Sequence, residues 1–234
     1  MADGLTRSPK LLKGALVELS EPFLGPVPNI IVFQYNPETM TRTLTPWSAG
    51  STKAGSAGKE EESRSQPFDP GEKFNLNLLL DAADALEEPE KHPVAVVSGV
   101  ADRISALEML LYPAKESFLG ELFGSLGGTV DVVPRGTVPV VLFVWGPGRI
   151  VPVRLTSFSV DEQLYSPTLY PIRAKVTVGL QVLTSFSFHK VARPLSASEE
   201  MAVKAYEFTR KQKEVLARAN LANSVESILG LLPF

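Results

Sequence analysis

The chain has 234 residues, 44% of them hydrophobic, a formal net charge of −3 and no cysteine. That apolar content suffices for one sizeable core, the slightly acidic balance offers nucleic acid no global basic field, and the missing thiols exclude disulfides and thiolate metal sites. The N-terminal apolar stretch is broken by Lys13, Gly14 and Glu18, unlike a secretion signal, and no apolar run approaches the ~20 residues of a membrane-spanning helix.

In chain order, residues 11–19 (LLKGALVEL) read as a strand and residues 21–29 as a Pro/Gly loop. A second strand over 30–35 ends at Asn36-Pro37-Glu38, because Pro37 lacks an N–H and Asn36 caps turns readily. This turn is expected to join strand 30–35 to an antiparallel partner over 39–45 and to fix their register. Residues 48–66 are rich in Gly, Ser and Ala and then charged, so mobility is expected there.

In 73–80, Phe74, Leu76, Leu78 and Leu80 alternate with polar residues, the pattern of a half-buried strand. Val96, Val97, Val100, Ile104, Leu107, Leu110 and Leu111 recur at helical spacing and predict one packed helix over 95–111, closed by Pro113. The glycine-rich residues 117–137 suggest a short helix with a flexible exit.

Residues 138–145 read as a covered strand, 146–148 as a turn and 149–160 as the return strand. Period-two alternation then predicts a strand over 171–188. Ile172, Ala174, Val176, Val178, Leu180, Val182, Phe186 and Phe188 share its apolar face, and Arg173, Lys175, Thr177, Gln181, Ser185 and Ser187 its polar face. A strand so long must bend near Gly179 or project from its domain. Residues 197–229 read as a helix, capped by Ser196 or Ser198, with Glu199 and Glu200 in its first turn. The apolar tail LGLLPF follows.

Catalytic chemistry is sparse. His92 and His189 are the two histidines, and a Ser157/Asp161/His189 trio lacks any nucleophile-elbow pattern. No metal or cofactor site is expected. Glu60, Glu61, Glu62, Glu87, Glu88 and Glu90 read as solvated surface. The basic stretch 204–218 reads as a solvated helix face rather than a nucleic-acid or membrane contact.

One ordered set of motifs carries a resemblance. FQYNPETMTRTLTP (33–46) resembles an FxFNPE-like turn followed by Ser/Thr-rich strand residues. FNLNLLLDA (74–82) is similar to a central strand ending in Asp. PVVLFVWGPGRIVPVRLTSFSVDEQLYSPTLYPIRAKVTVGL resembles a strand ending in Trp-Gly, its return strand, and a Pro-hydrophobic-Arg-Ala strand. Together, over roughly residues 10–188, these resemble the tube proteins of contractile injection systems, the tail-tube-like domain of baseplate hub and tube-initiator proteins in phage-tail-like particles.

The resemblance implies a structural, non-enzymatic protein with a mainly β (α+β) fold. It would be an antiparallel tail-tube-like β-barrel or sandwich with one packed helix and, here, a C-terminal helical extension. The implied division is a tube-like domain over 1–190, with its mobile insertion, and an extension over 191–234. Many relatives carry a LysM module there, but 189–234 is too short and too helical for one, so LysM-borne contacts are not carried over.

The implied partners are further copies in a hexameric ring, the inner tube protein, the spike or hub, and baseplate wedge proteins, with no nucleic acid. The implied location is the cytoplasm on synthesis, then a particle released outside the cell or acting at a membrane. Asn36, Pro37 and Glu38 are then a structural turn. Arg173, Lys175, Thr177 and Gln181 face a lumen or subunit interface, and Leu229, Leu231, Leu232 and Phe234 form a partner-binding tail. The competing readings are a tube-end cap or terminator, and a β-rich ligand-binding module with Trp47, Trp145, Tyr165 and Tyr170 lining its pocket.

Overall fold

The computed structural model describes residues 12–19, 29–46, 66–112, 138–189 and 193–229. Seven strands form one antiparallel sheet: β1 (Ala15–Leu19), β2 (Asn29–Val32), β3 (Met40–Thr45), β4 (Gly71–Asp81), β5 (Val140–Val144), β6 (Ile150–Tyr165) and β7 (Pro171–Val182), in the order β2-β1-β5-β6-β7-β4-β3. Among the described residues five helices accompany it: α1 (Ala83–Glu87), α2 (Pro93–Ser98), α3 (Ala101–Met109), α4 (Ser185–His189) and α5 (Ala197–Leu229).

The period-two pattern decides which face is buried. On β4, Phe74, Leu76, Leu78 and Leu80 are buried and their neighbours exposed; on β7, Ala174, Val176, Val178, Leu180 and Val182 are buried. Each fully buried aliphatic or aromatic side chain contributes roughly 1.5–3 kcal/mol of transfer free energy. The sheet curls around this core. Phe74 and Phe143 lie on strands three positions apart, roughly 14 Å in a flat sheet, yet their ring centroids are 5.4 Å apart, the rings tilted at 52°. Phe33, just beyond edge strand β2, reaches 6.4 Å from Phe143. The result is a partly open barrel.

Asn36-Pro37-Glu38 does not join a hairpin. β2 pairs with β1, β3 pairs with β4, and the two lie at opposite ends of the strand order. The segment instead carries the chain across the open side of the barrel. There Gln34 donates to the Asp81 carbonyl (2.7 Å) and accepts from the Asp81 N–H (3.0 Å), joining this crossing to the end of β4.

The expected helix over 95–111 is broken at Gly99, which has φ +59° and lies so close to β7 that a Cβ would stand 2.1 Å from the Pro171 carbonyl. The Val100 N–H donates to that same carbonyl (2.9 Å). Only a glycine allows this approach. The break turns Val100, Ile104, Leu107 and Leu110 into the core and leaves Val96 and Val97 exposed, contrary to the helical pattern.

The expected strand over 171–188 stops at Val182. The cause lies on its neighbour: the Thr209 hydroxyl accepts from the Ile150 N–H (3.0 Å) and donates to the Ile150 carbonyl (2.7 Å), occupying backbone groups that a longer β7 would meet. The chain turns into α4 instead. Phe188 is buried against Leu142 and Ala202 in a second apolar cluster beneath α5, whereas Phe186 is exposed and packs on Phe68 with ring centroids 4.5 Å apart. Residues 48–65, 117–137 and the tail beyond Leu229 lie outside the described residues, and with them the expectations placed on them.

Candidate functional site

The outer face of the long strands is assembled by register. Rows across β6, β7 and β4 read Arg154–Gln181–Lys73, Ser157–Gly179–Asn75, Ser159–Thr177–Asn77, Asp161–Lys175–Leu79 and Gln163–Arg173–Asp81. Thr43 and Thr41 of β3 extend the first two rows. The structure thus brings Arg173, Lys175, Thr177 and Gln181 onto one polar surface that spans about 26 Å along β7 at ~3.3 Å per residue.

Local bonds order this surface. Thr177 donates to Asn77 Oδ1 (2.8 Å). Arg173 reaches Asp81 through Nε (2.8 Å) and Nη2 (2.6 Å). Burial pushes the Asp81 carboxyl up, but the Ala83 N–H and Arg173 outweigh it and hold the group below its ordinary range. A β-bulge at Thr156 of β6 falls opposite Gly179. The polar side chains close over that glycine so tightly that a Cβ there would lie 2.2 Å from Ser157 Oγ.

The hairpin of β6 and β7 ends in an exposed apolar tip of Leu164, Tyr165, Leu169 and Tyr170. Leu164 and Leu169 hold φ of 54° and 64°. That region is costly for branched side chains, of order 1–3 kcal/mol. The Tyr170 N–H donates to Ser166 Oγ (3.1 Å) and the Ser166 N–H to the Tyr170 carbonyl (2.8 Å), and these bonds hold the loop against it.

The aromatic residues of the ligand-module reading do not converge. Trp145 packs on Phe33 and Phe143, beside the turn into β6, whereas Tyr165 and Tyr170 stand at the far end of that strand, about 50 Å along it. Trp47 lies outside the described residues, as do the side chains of His189, Leu229, Leu231, Leu232 and Phe234. Among the described residues no three His, Asp or Glu side chains are grouped to hold a metal, and no helix is long and apolar enough to cross a membrane.

Two polar clusters escaped the sequence reading. Arg103 donates to Gln34 Oε1, so Gln34, Arg103, Asp81 and Arg173 form one chain of contacts beside the tip end of the β6–β7 hairpin. At the other end of β4, buried Glu72 binds Arg42 and Lys213 (2.8 Å to the lysine), and Asp69 accepts from Tyr206 (3.0 Å) and Arg210 (3.2 Å). Burial raises Glu72, yet Lys213 and Arg42 bring its carboxyl below the ordinary value; burial and Asp69 push the Tyr206 phenol up. Gln34 lies within the signature strand, the one cue available; Glu72 reads in sequence as an ordinary surface acid.

A barrel with an apolar interior, one extended polar face, a projecting hairpin and the ordered strand signatures now stands complete. A family model described as "Contractile injection system tube protein" matches residues 17–187. The chain belongs to that family. No curated protein matches it. Membership assigns the chain a structural role in a contractile injection particle, assembled with other particle proteins, and it accounts for the mainly β antiparallel fold.

Proposed function

We propose that this tube-family protein forms a ring, six copies in the implied symmetry, at the junction of inner tube and baseplate, as tube initiator or hub adaptor. The observation that carries the reading is the polar face of β3, β4, β6 and β7, backed along β4 and β7 by the buried core. A conduit for a tube, spike or cargo must stay hydrated, and this surface supplies hydroxyls, amides and charges along the strand length. In the ring, Arg173, Lys175, Thr177 and Gln181 face the lumen. β2 and β3 leave backbone edges that a neighbouring copy covers, since an open edge otherwise invites aggregation. The exposed hairpin tip supports a contact within the particle.

Residues 1–190 act as the tube domain and 191–234 as its extension. Leu229, Leu231, Leu232 and Phe234 contact a baseplate component. The chain has no catalytic task in this role.

Electron microscopy of purified particles, with this chain labelled, tests the reading. A single ring at the baseplate end of the tube is expected. A label at the distal end identifies a cap or terminator instead, and particles without the chain overturn the assignment.

A further inference from the structure

We propose that the end of the barrel beside α5 is an anion receptor, in which Arg42, Arg149 and Lys213 gather at Phe74 and Glu72 to bind one oxyanion group, a carboxylate or a phosphate. The receptor goes beyond the ring reading and does not depend on it.

Three parts of the fold bring these residues together. Strand pairing sets Arg42 of β3 opposite Phe74 of β4, and cross-strand partners share a face of the sheet. Glu72, two residues before Phe74, lies on that face as well. The turn from β5 into β6 supplies Arg149, whose Cζ stands 5.5 Å from the Phe74 ring centroid, a cation–π contact. α5 supplies Lys213. Its Nζ donates to Glu72 Oε2 (2.8 Å), while Arg42 Nε donates to Oε1.

Glu72 is therefore committed to two cations of its own subunit. With that pairing included, Arg42, Arg149 and Lys213 share one carboxylate, a surplus of +2. Next to them, Arg210 is matched by Asp69 (3.2 Å) and Glu214 (3.8 Å); with these three added, the sum is still +1.

Arg149 is the uncommitted member. Its guanidinium has no hydrogen-bond or ion-pair partner among the described residues, although it is half-buried and carries five N–H donors. Burial, and then the charge of Arg42, pull its pKa below the ordinary arginine value, with Glu72 opposing. A planar fork that lacks acceptors and faces a like charge is stabilised by an oxyanion. Carboxylate and phosphate match such a fork with two parallel hydrogen bonds.

The site is also pre-ordered and open. The Glu72 side chain is 6% exposed and holds Arg42 and Lys213 in place, yet those two remain 32% and 42% exposed. Phe74 is wholly buried and gives Arg149 a fixed platform. A ligand reaching the cations from solvent thus need not order them first, which removes part of the usual cost of binding.

Nuclear magnetic resonance of the arginine Nε–H groups in the full chain tests this, at constant ionic strength maintained with chloride. Two probes are titrated separately, inorganic phosphate and a hexaglutamate peptide. Saturable shifts of the Arg149 and Arg42 signals are expected with at least one of them. Tighter binding of phosphate marks a site for a free ion. Hexaglutamate binding at least about tenfold tighter than phosphate marks a site for an acidic segment of a protein partner. Arg149→Gln, read at Arg42, is expected to weaken binding at least about tenfold. Arg149→Lys keeps the charge but loses the fork, and should fall between the two. Circular dichroism checks that both variants fold. An Arg149→Gln chain that binds like the native one, or a native chain whose two signals show no saturable shift with either probe, overturns the receptor and leaves the ring reading untouched.

Discussion

The side-chain amide of Asn36 clasps the chain 22 residues upstream: its Oδ1 accepts from the Gly14 N–H and its Nδ2 donates to the Leu12 carbonyl, each at 2.8 Å. The Phe33 N–H donates to the Gly14 carbonyl (2.9 Å), so Asn36 prolongs the β1–β2 pairing after the strand itself has ended. Asn36→Ala removes both bonds and leaves the part-buried Gly14 N–H without its acceptor. The expected cost is about 1–3 kcal/mol in urea denaturation. Asn36→Val should cost the same within error, because the amide is what matters there. Pro37→Ala should cost under about 1 kcal/mol. Equal losses for Pro37→Ala and Asn36→Ala would refute the clasp.

How much of this was legible follows from where the forces act. The alternation in β4 and β7 is read directly, because burial of one face is a local, period-two constraint. So is the cap of α5. Ser196 and Glu199 form a reciprocal capping box, with the Ser196 N–H on Glu199 Oε2 (2.9 Å) and the Glu199 N–H on Ser196 Oγ (3.3 Å).

What failed was set by distant partners. The end of β7 depends on Thr209, the break at Gly99 depends on Pro171, and the destination of the Asn36 crossing depends on β4. None of these leaves a mark in neighbouring residues. The polar face of Arg173, Lys175, Thr177 and Gln181 was visible as a pattern, but its rows required the register of three strands. Glu72 is the extreme case: a carboxylate is ordinarily solvated, and only Arg42 and Lys213, far apart in sequence, make its burial tolerable.

That burial gives an acid sensitivity. Glu72 holds its carboxyl below the ordinary value in the folded chain, so its contribution is present above the unfolded-state value near ~4.3 and is lost as the pH falls below it. Stability measured between about pH 6 and pH 3 should fall more steeply in the native chain than in Glu72→Gln. The variant should lose about 1–3 kcal/mol at neutral pH. Parallel pH profiles would show that the Arg42–Glu72–Lys213 group is not what titrates.

The two faces of β7 should respond oppositely to charge. Val178 is fully buried, so Val178→Asp places an unpaired carboxylate in the core and should abolish folding, read as loss of near-ultraviolet dichroism. Lys175 is exposed, and Lys175→Glu should shift stability by no more than about 0.5 kcal/mol. A folded Val178→Asp protein would contradict the assignment of that face.

Gly179 is constrained by its neighbours' side chains rather than by backbone torsion. Ser157 Oγ, Thr156 Oγ1 and Asn75 Oδ1 would meet a Cβ at 2.2, 3.1 and 3.2 Å. Gly179→Ala should therefore destabilise by about 1–3 kcal/mol. Adding Ser157→Gly to Gly179→Ala should recover part of that loss, because it removes the nearest obstructing atom. Additive losses in the double variant would place the strain elsewhere.

The anchor of α5 offers the most direct test of how the extension is held. Thr209 is 2% exposed, and its hydroxyl serves both backbone groups of Ile150. Thr209→Val preserves shape but leaves an N–H and a carbonyl of β6 without partners, a cost of about 1–3 kcal/mol. Because β7 has ended before this point, no strand can take over the two groups, and water must enter between α5 and the sheet to satisfy them. Hydrogen exchange should then accelerate at Ile150 and along the neighbouring turns of α5, while the amides paired between β4 and β7 keep their protection. Thr209→Ser retains the hydroxyl and should exchange like the native chain. Uniform acceleration across the whole sheet in Thr209→Val would mean that helix and barrel unfold as one unit, and that Thr209 is no local anchor.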